Sequence, residues 1–301
     1  MKHVRSVAAG LPLAAVVWVL TGMGVVQLAS ALGGLRYGVP MVLPDVFVSG
    51  NRVVAGLAAA GLLLAAGLAH GLLLRVGVAG RAIAGVVYLV VGVWALTDPA
   101  NFARTFPPDI GRFAGAAQAP AWGYALLLAG PLLVTLVRAR LTGSVPIGVA
   151  IGVLVWVETG IGVSALGRAV GVHPMGEALL LPYETGDPVP ANRLLDSVIT
   201  LIFLVGAAIL VRLLIDGRRL RAARALIGVV FVGVSLWAMA FPESYAAAVP
   251  ITWVSAPAWG YALLLAGPLL FTAVWPPKDP TATPESAFAV QATAGREEAA
   301  S

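Results

Sequence analysis

Uncharged apolar runs too long for any water-soluble domain recur along this chain, and they constrain its fold more than any other feature. Ser6 to Leu35, Val53 to Leu74 and Phe113 to Val137 hold no Asp, Glu, Lys or Arg, and Leu141 to Gly167 holds only Glu158. Spanning a bilayer as a helix takes roughly 20 consecutive apolar residues, so each run is long enough. Only 11% of the residues are charged, against about 25% in soluble domains. That is too little polar surface to cover a water-facing exterior, so much of the outside must meet lipid.

The net charge of +5 does not point to nucleic acid, because the basic residues sit at helix ends and form no continuous stripe. The chain has no Cys, which removes disulfides, thiolate catalysis and thiolate metal sites. Lys2 and Arg5 ahead of an apolar run, followed by Ala29-Ser30-Ala31, imitate a secretory signal and its cleavage site. The run is too long for a signal core and has a counterpart deep inside the chain, so it reads as a retained first helix. The Arg, Ala, Gly and Val bias suggests a GC-rich bacterial genome and hence the cytoplasmic (inner) membrane of a bacterium.

Hydropathy places helices near 7–32, 51–75, 78–97, 120–138, 146–168, 192–213, 223–241 and 257–275. These eight segments fall into two sets of four, because residues 119–133 (Ala-Pro-Ala-Trp-Gly-Tyr-Ala-Leu-Leu-Leu-Ala-Gly-Pro-Leu-Leu) recur identically at 256–270. Elsewhere the copies have diverged in register. Trp18, Thr21, Gly22, Gly24 and Val25 match Trp156, Thr159, Gly160, Gly162 and Val163; Pro44 matches Pro182; Asn51-Arg52 matches Asn192-Arg193; Trp94 and Pro99 match Trp237 and Pro242. The fold class that follows is all-α: a polytopic membrane protein of eight transmembrane helices, built as two tandem parallel four-helix repeats. The repeats cover 1–142 and 143–276, and a disordered cytoplasmic tail covers 277–301, where Pro, Ala, Thr and Glu cannot bury a core.

Arginine placement sets the orientation. Residues 1–5, 75–81, 138–140, 212–224 and the tail hold 13 of the 19 Lys and Arg. The other connections hold six Arg and seven carboxylates. The positive-inside rule then puts both termini in the cytoplasm. An even number of helices per unit makes the repeats parallel, related by a pseudo-twofold along the membrane normal. The long connections, 33–50, 98–119, 169–191 and 242–256, face outward.

Glu158 is the leading candidate for a site. It lies about 18 Å from the inner end of the fifth helix at 1.5 Å per residue, where a carboxylate costs about 2.5–3.5 kcal/mol on insertion scales. Its counterpart in the first copy is Leu20, so the fold accepts an apolar side chain there. Asp196, whose counterpart is Ala55, is its natural partner, since the fifth and sixth helices are consecutive and antiparallel. Two carboxyl groups facing each other in an apolar site leave one protonated, able to act as an acid or proton carrier. The bland readings are a first-turn Asp favoured by the helix dipole, an Asp196 paired with Arg193, and a Glu158 that only hydrogen-bonds across the bundle. Thr159 adjoins Glu158 as a further binding candidate. Asn51-Arg52 and Asn192-Arg193 open the second helix of each copy, as N-caps with snorkelling anchors or as anion sites at helix N-termini.

Gly130-Pro131 and Gly267-Pro268 predict symmetric kinks, each Pro freeing the carbonyl of Leu127 or Leu264. Trp122, Tyr124, Trp259 and Tyr261 read as interfacial anchors, and Gly67 with Gly71 and Gly148 with Gly152 as close helix contacts. His3, His70 and His173 are scattered, with His173 and Glu177 the one weak metal pairing. No phosphate loop, dinucleotide fingerprint or nucleophile elbow occurs, and no cofactor or metal is implied. In size and helix count alone, each half resembles the small four-helix bacterial membrane proteins of the DoxX type; that likeness carries no residue across and implies no activity.

Three functions fit the sequence. The first is binding or transport of a small lipophilic or anionic solute near Glu158, in the outer half of the bundle. The second is an intramembrane acid/base enzyme, an isomerase or cyclase of a lipophilic substrate, using Glu158 and Asp196. The third is an accessory subunit whose outer loops dock a membrane-protein partner.

Overall fold

The computed structural model describes residues 2–32, 52–98, 101–102, 105, 114–134, 144–170, 193–217 and 220–275. Among these residues every regular element is a helix. In chain order they are α1 (Lys2–Leu32), α2 (Arg52–Leu73), α3 (Val78–Thr97), α4 (Ala114–Gln118), α5 (Tyr124–Leu133), α6 (Val145–Val170), α7 (Arg193–Asp216), α8 (Arg221–Ala240), α9 (Pro242–Ala248), α10 (Thr252–Ser255) and α11 (Tyr261–Val274). Single 3-10 turns at Ala119–Ala121 and Ala256–Ala258 lead into α5 and α11. Val- and Gly-rich segments are mediocre helix formers in water. In lipid, however, every backbone polar group must be satisfied within the segment, and the helix does that.

Six helices, α1, α2, α3, α6, α7 and α8, are long and apolar enough to cross a membrane. Their outward faces are apolar: Val90 is 58%, Val153 57%, Ile202 61% and Val229 61% exposed. A water-soluble chain hides such surface. A multi-pass membrane protein turns it to lipid, and that is the class to which this bundle belongs.

The two identical blocks form the centre. From Tyr124 to Leu132 and from Tyr261 to Leu269 every residue is buried, as expected of helices apolar on all sides. α5 packs on α3 of its own half and on α7 of the other; α11 packs on α8 of its own half and on α2 of the other. α1 lies along α2, and α6 along α7.

Among the described residues these central helices are shorter than the hydropathy implies. α5 has 10 residues and α11 has 14, or about 15 and 21 Å, and they start at Tyr124 and Tyr261 instead of near 120 and 257. The cause is local. Pro120 and Pro257 favour a 3-10 turn, and Gly123 (φ +87°) and Gly260 (φ +100°) then reverse the backbone hand before the helix begins. That positive φ suits glycine. The space is also closed, since a Cβ would lie 2.8 Å from Leu166 Cδ2 at Gly123 and 2.9 Å from Leu63 Cδ1 at Gly260. Six helices of spanning length therefore stand where eight were expected among the described residues. Residues 33–50, 171–192, 135–143 and 276–301, including the expected tail, lie outside them.

Burial also corrects the reading of the aromatic residues. Trp122, Tyr124, Trp259 and Tyr261 are core residues, at most 7% exposed, and do not form an interfacial belt. Trp122 and Trp259 end two matched edge-to-face chains, Trp94–Phe102–Trp122 and Trp237–Tyr245–Trp259.

Matched residues make matched contacts. Trp18 Nε1 donates to Ala117 O at 2.9 Å, and Trp156 Nε1 to Val254 O at 2.8 Å. Gly22 abuts the Ala116 carbonyl as Gly160 abuts that of Trp253, and Gly24 meets Leu63 as Gly162 meets Leu204. Gly67 approaches Gly267 and the Leu264 carbonyl, while Gly130 approaches Ala208. The carbonyl freed by Pro268 thus sits against a residue with no side chain. Gly71, Gly148 and Gly152 pack on Phe271, Ala223 and Ile227.

Candidate functional site

Glu158 stands thirteen residues after Val145 in the 26-residue α6, about 20 Å along the axis and midway through the span. Its Oε2 is buried and has no hydrogen-bond partner among the described residues. The atom rests against Gly206 of α7, where an ideal Cβ would lie only 2.8 Å from it. The side chain as a whole is half-buried. One turn away on α6 and α7 stand Leu154 and Ile202, 51% and 61% exposed. The carboxyl therefore occupies a notch on the bundle's flank that opens beside lipid-facing residues. The residues at the matching sequence positions 20 and 65 are Leu20 and Ala65, so the acid stands opposite a glycine where the apolar residue stands opposite an alanine in the register.

Asp196 is not part of that notch. Ten residues separate it from Gly206 along α7, about 15 Å. Its Oδ1 accepts Arg168 Nε at 3.0 Å and lies 2.9 Å from Arg168 Nη2. Arg168 comes from the last turn of α6, where a cation suits the helix dipole, and Asp196 from the first turn of α7, where an anion does. One ion pair thus closes the α6–α7 hairpin. The two carboxyl groups that an acid/base site would require are not brought together. Arg193, the alternative partner considered for Asp196, instead reaches Thr97 O at 3.5 Å.

Thr159 is fully buried and donates to Val155 O at 2.7 Å, just as Thr21 donates to Val17 O. Its hydroxyl is satisfied within its own helix and is not directed at a ligand. Asn51 and Asn192 lie outside the described residues, as does the side chain of Arg52, and so do His173 and Glu177. Among the described residues no group of three or more His, Asp and Glu is placed to hold a metal ion.

A second polar group escaped the sequence reading. His70, Arg81, Arg212, Asp216 and Arg224 gather near the end of the bundle where α1 begins. Only two of the five stand against residues without a polar side chain in the register of the repeat, His70 against Val211 and Arg212 against Gly71, whereas Asp216 stands against Arg75 and Arg81 against Arg224. Scattered along the sequence, they meet only because α2, α3, α7 and α8 share that end.

No family model, curated protein or solved structure matches the chain.

Proposed function

We propose that this chain is a bacterial inner-membrane protein, built by duplication of a four-segment unit with both termini cytoplasmic, that binds a small lipophilic solute at the notch between Glu158 and Gly206. The duplication is supported by the identical blocks at 119–133 and 256–270 and by the paired Trp18–Ala117 and Trp156–Val254 hydrogen bonds. Parallel repeats of eight segments, with α5 and α11 as the fourth of each set, follow from that reading together with the basic connections on one side.

One observation carries the site: a buried carboxyl oxygen in mid-span that has no hydrogen-bond partner among the described residues, seated where the neighbouring helix lacks a side chain. Carboxylates held in membrane spans mark functional sites. The notch opens between Leu154 and Ile202, so its ligand arrives through the bilayer, which favours an apolar solute carrying one hydrogen-bond donor or amine. The acid/base reading is less favoured, because Asp196 is engaged by Arg168.

The test uses the full chain in lipid nanodiscs with a photoreactive alkyl amine as probe. The expected result is crosslinking to α6 and α7 that Glu158→Leu abolishes and Glu158→Gln weakens, with both variants melting as cooperatively as the parent. Equal labelling of parent and Glu158→Leu would overturn the assignment.

A further inference from the structure

At the opposite pole from the Arg168–Asp196 pair, four helix ends meet around one carboxylate. Asp216 closes α7, where a negative charge opposes the helix dipole. Arg212, one turn earlier, places Nε 2.9 Å from Asp216 Oδ2, so the two side chains form an ion pair within α7. Arg81 and Arg224 are also within electrostatic reach of Asp216. Arg81 Nη1 donates to Leu74 O at 3.0 Å, and Arg224 Nη1 donates to Leu214 O at 3.4 Å and to Ile215 O. Each therefore caps the helix before it, the ordinary use of an Arg at a C-terminus.

These interactions leave a surplus of donors. The Nε groups of Arg81 and Arg224 are buried and have no acceptor among the described residues. His70, 1% exposed and within electrostatic reach of Arg212, has no hydrogen-bond partner at either ring nitrogen among the described residues. Arg224 is itself only 2% exposed. Three guanidinium groups thus surround one carboxylate. Buried polar groups in native proteins are nearly always satisfied, and an orphan points to a bound water or ion; here the excess of positive charge calls for an anion.

An open groove of about 610 Å³ runs between the start of α8 and the end of α11, lined by Arg221, Ala222, Ala225, Ala273 and Val274 and by no member of the cluster; Arg221 Nε there donates to Ala273 O at 2.6 Å. Arg221 lies within electrostatic reach of Arg224. Basic clusters between membrane helices bind anionic headgroups.

We propose that His70, Arg81, Arg212 and Arg224, arranged around Asp216, form a binding site for a phosphate oxyanion, carried on an anionic phospholipid or free in solution. Planar guanidinium groups suit phosphate oxygens, and His70 supplies one N–H donor. The site is independent of Glu158, which lies mid-span on the α6–α7 flank, so either assignment can fail without the other.

The experiment measures thermal stability and retained lipid, by native mass spectrometry, for the full chain in neutral detergent. It is challenged separately with cardiolipin, with phosphatidylcholine and with inorganic phosphate. Arg212→Gln is the informative variant, since Arg212 caps no carbonyl; Arg212→Lys keeps the charge but loses the fork; Asp216→Asn removes the competing anion. Cardiolipin that binds the parent, is weakened about fivefold by Arg212→Gln, is strengthened by Asp216→Asn and is not displaced by phosphate identifies a headgroup site. Stabilisation by phosphate alone, lost in Arg212→Gln, identifies a free oxyanion site. Arg212→Lys falls between parent and Arg212→Gln in either case. Equal responses of parent and Arg212→Gln to every addition, or a response to phosphatidylcholine equal to that for cardiolipin, overturns the proposal. A purely structural Asp216–Arg212 pair would lower the melting temperature in Asp216→Asn without any gain in anion binding.

Discussion

The rings of Tyr124 and Tyr261 stack with centroids 4.1 Å apart and planes 4° from parallel, and each hydroxyl donates to the other half of the chain. Tyr124 donates to Trp259 O at 3.2 Å and Tyr261 to Trp122 O at 3.1 Å. The carbonyls that accept these bonds belong to the residues just before Gly123 and Gly260, where the turn into each central helix leaves backbone groups outside the helical ladder. The stack therefore joins the two identical blocks and satisfies two of their buried acceptors at once.

Removing one hydroxyl should cost about 1 kcal/mol, the usual net worth of a neutral hydrogen bond. Tyr124→Phe and Tyr261→Phe are expected to lower stability by similar amounts, because their environments match. The ring contact is read separately, from a double-mutant cycle with Tyr124→Leu and Tyr261→Leu; a coupling of about 0.5–1.5 kcal/mol is expected beyond the sum of the single changes. Unfolding in mixed micelles followed by tryptophan fluorescence gives both quantities. Simple additivity would show that the rings are neighbours without mutual stabilisation.

Glycines in this chain divide by what stands opposite them. An ideal Cβ at Gly22 or Gly160 would lie 1.8 Å from a backbone oxygen, of Ala116 and Trp253 respectively, whereas nothing stands within 4 Å of one at Gly61 or Gly233. Backbone cannot yield as a flexible side chain can. Gly22→Ala and Gly160→Ala should each cost about 1–3 kcal/mol or more, as overpacking does. Gly61→Ala and Gly233→Ala should be neutral or stabilising by up to about 1 kcal/mol, through helix propensity. Thermal melting of the four variants checks this, and an inverted order would contradict the helix packing described above.

Much of this was legible in the sequence because lipid imposes simple rules. Apolar length gave the six long helices, and the duplicated block marked the segments that turned out to be central. Glu158 stood out because its twin is Leu20. The aromatic residues were misread for a physical reason: a Trp or Tyr near a helix end looks alike whether that end reaches the headgroups or turns inward, and only the 3-10 turn ahead of Gly123 and Gly260 decides which. The cluster around Asp216 was invisible for another. His70, Arg81, Arg212 and Arg224 come from four helices, and nothing in their local spacing shows that those four ends converge. Asp196 was assigned another neighbour because its contact with Arg168 runs between the last turn of α6 and the first turn of α7, 28 residues apart in the chain, which local spacing does not show.

The Arg168–Asp196 pair offers a test of how strongly the hairpin is tied. The Asp196 side chain is 11% exposed and that of Arg168 55%, so the acid has lost most of its water while the base has not. Arg168→Ala leaves the acid without its partner and should destabilise by about 1 kcal/mol, the upper end for a pair with one exposed member. Adding Asp196→Ala should restore part of the loss, because no desolvated charge is then left unpaired. Chemical denaturation of the two variants measures it; a double variant less stable than Arg168→Ala would mean that Asp196 is held by contacts other than this pair.

The Glu158–Gly206 contact yields the most specific prediction, because the chain carries its own control. The matching positions near the N-terminus hold Leu20 and Ala65, an apolar pair without a charge. Gly206→Ala alone places a methyl 2.8 Å from Glu158 Oε2. It should cost about 1–2 kcal/mol, since one member of the pair is the end of a movable side chain. Glu158→Leu alone should be neutral or stabilising, because removing a mid-span carboxylate relieves about 2.5–3.5 kcal/mol on insertion scales. The double variant Glu158→Leu, Gly206→Ala rebuilds the pairing of the first copy and should be at least as stable as the parent, so the two changes are strongly non-additive. Solute binding should behave oppositely, being lost in the double variant despite its stability. A stable double variant that still binds the photoreactive amine would separate the notch from function. One that fails to fold would show that the two halves pack differently at this position.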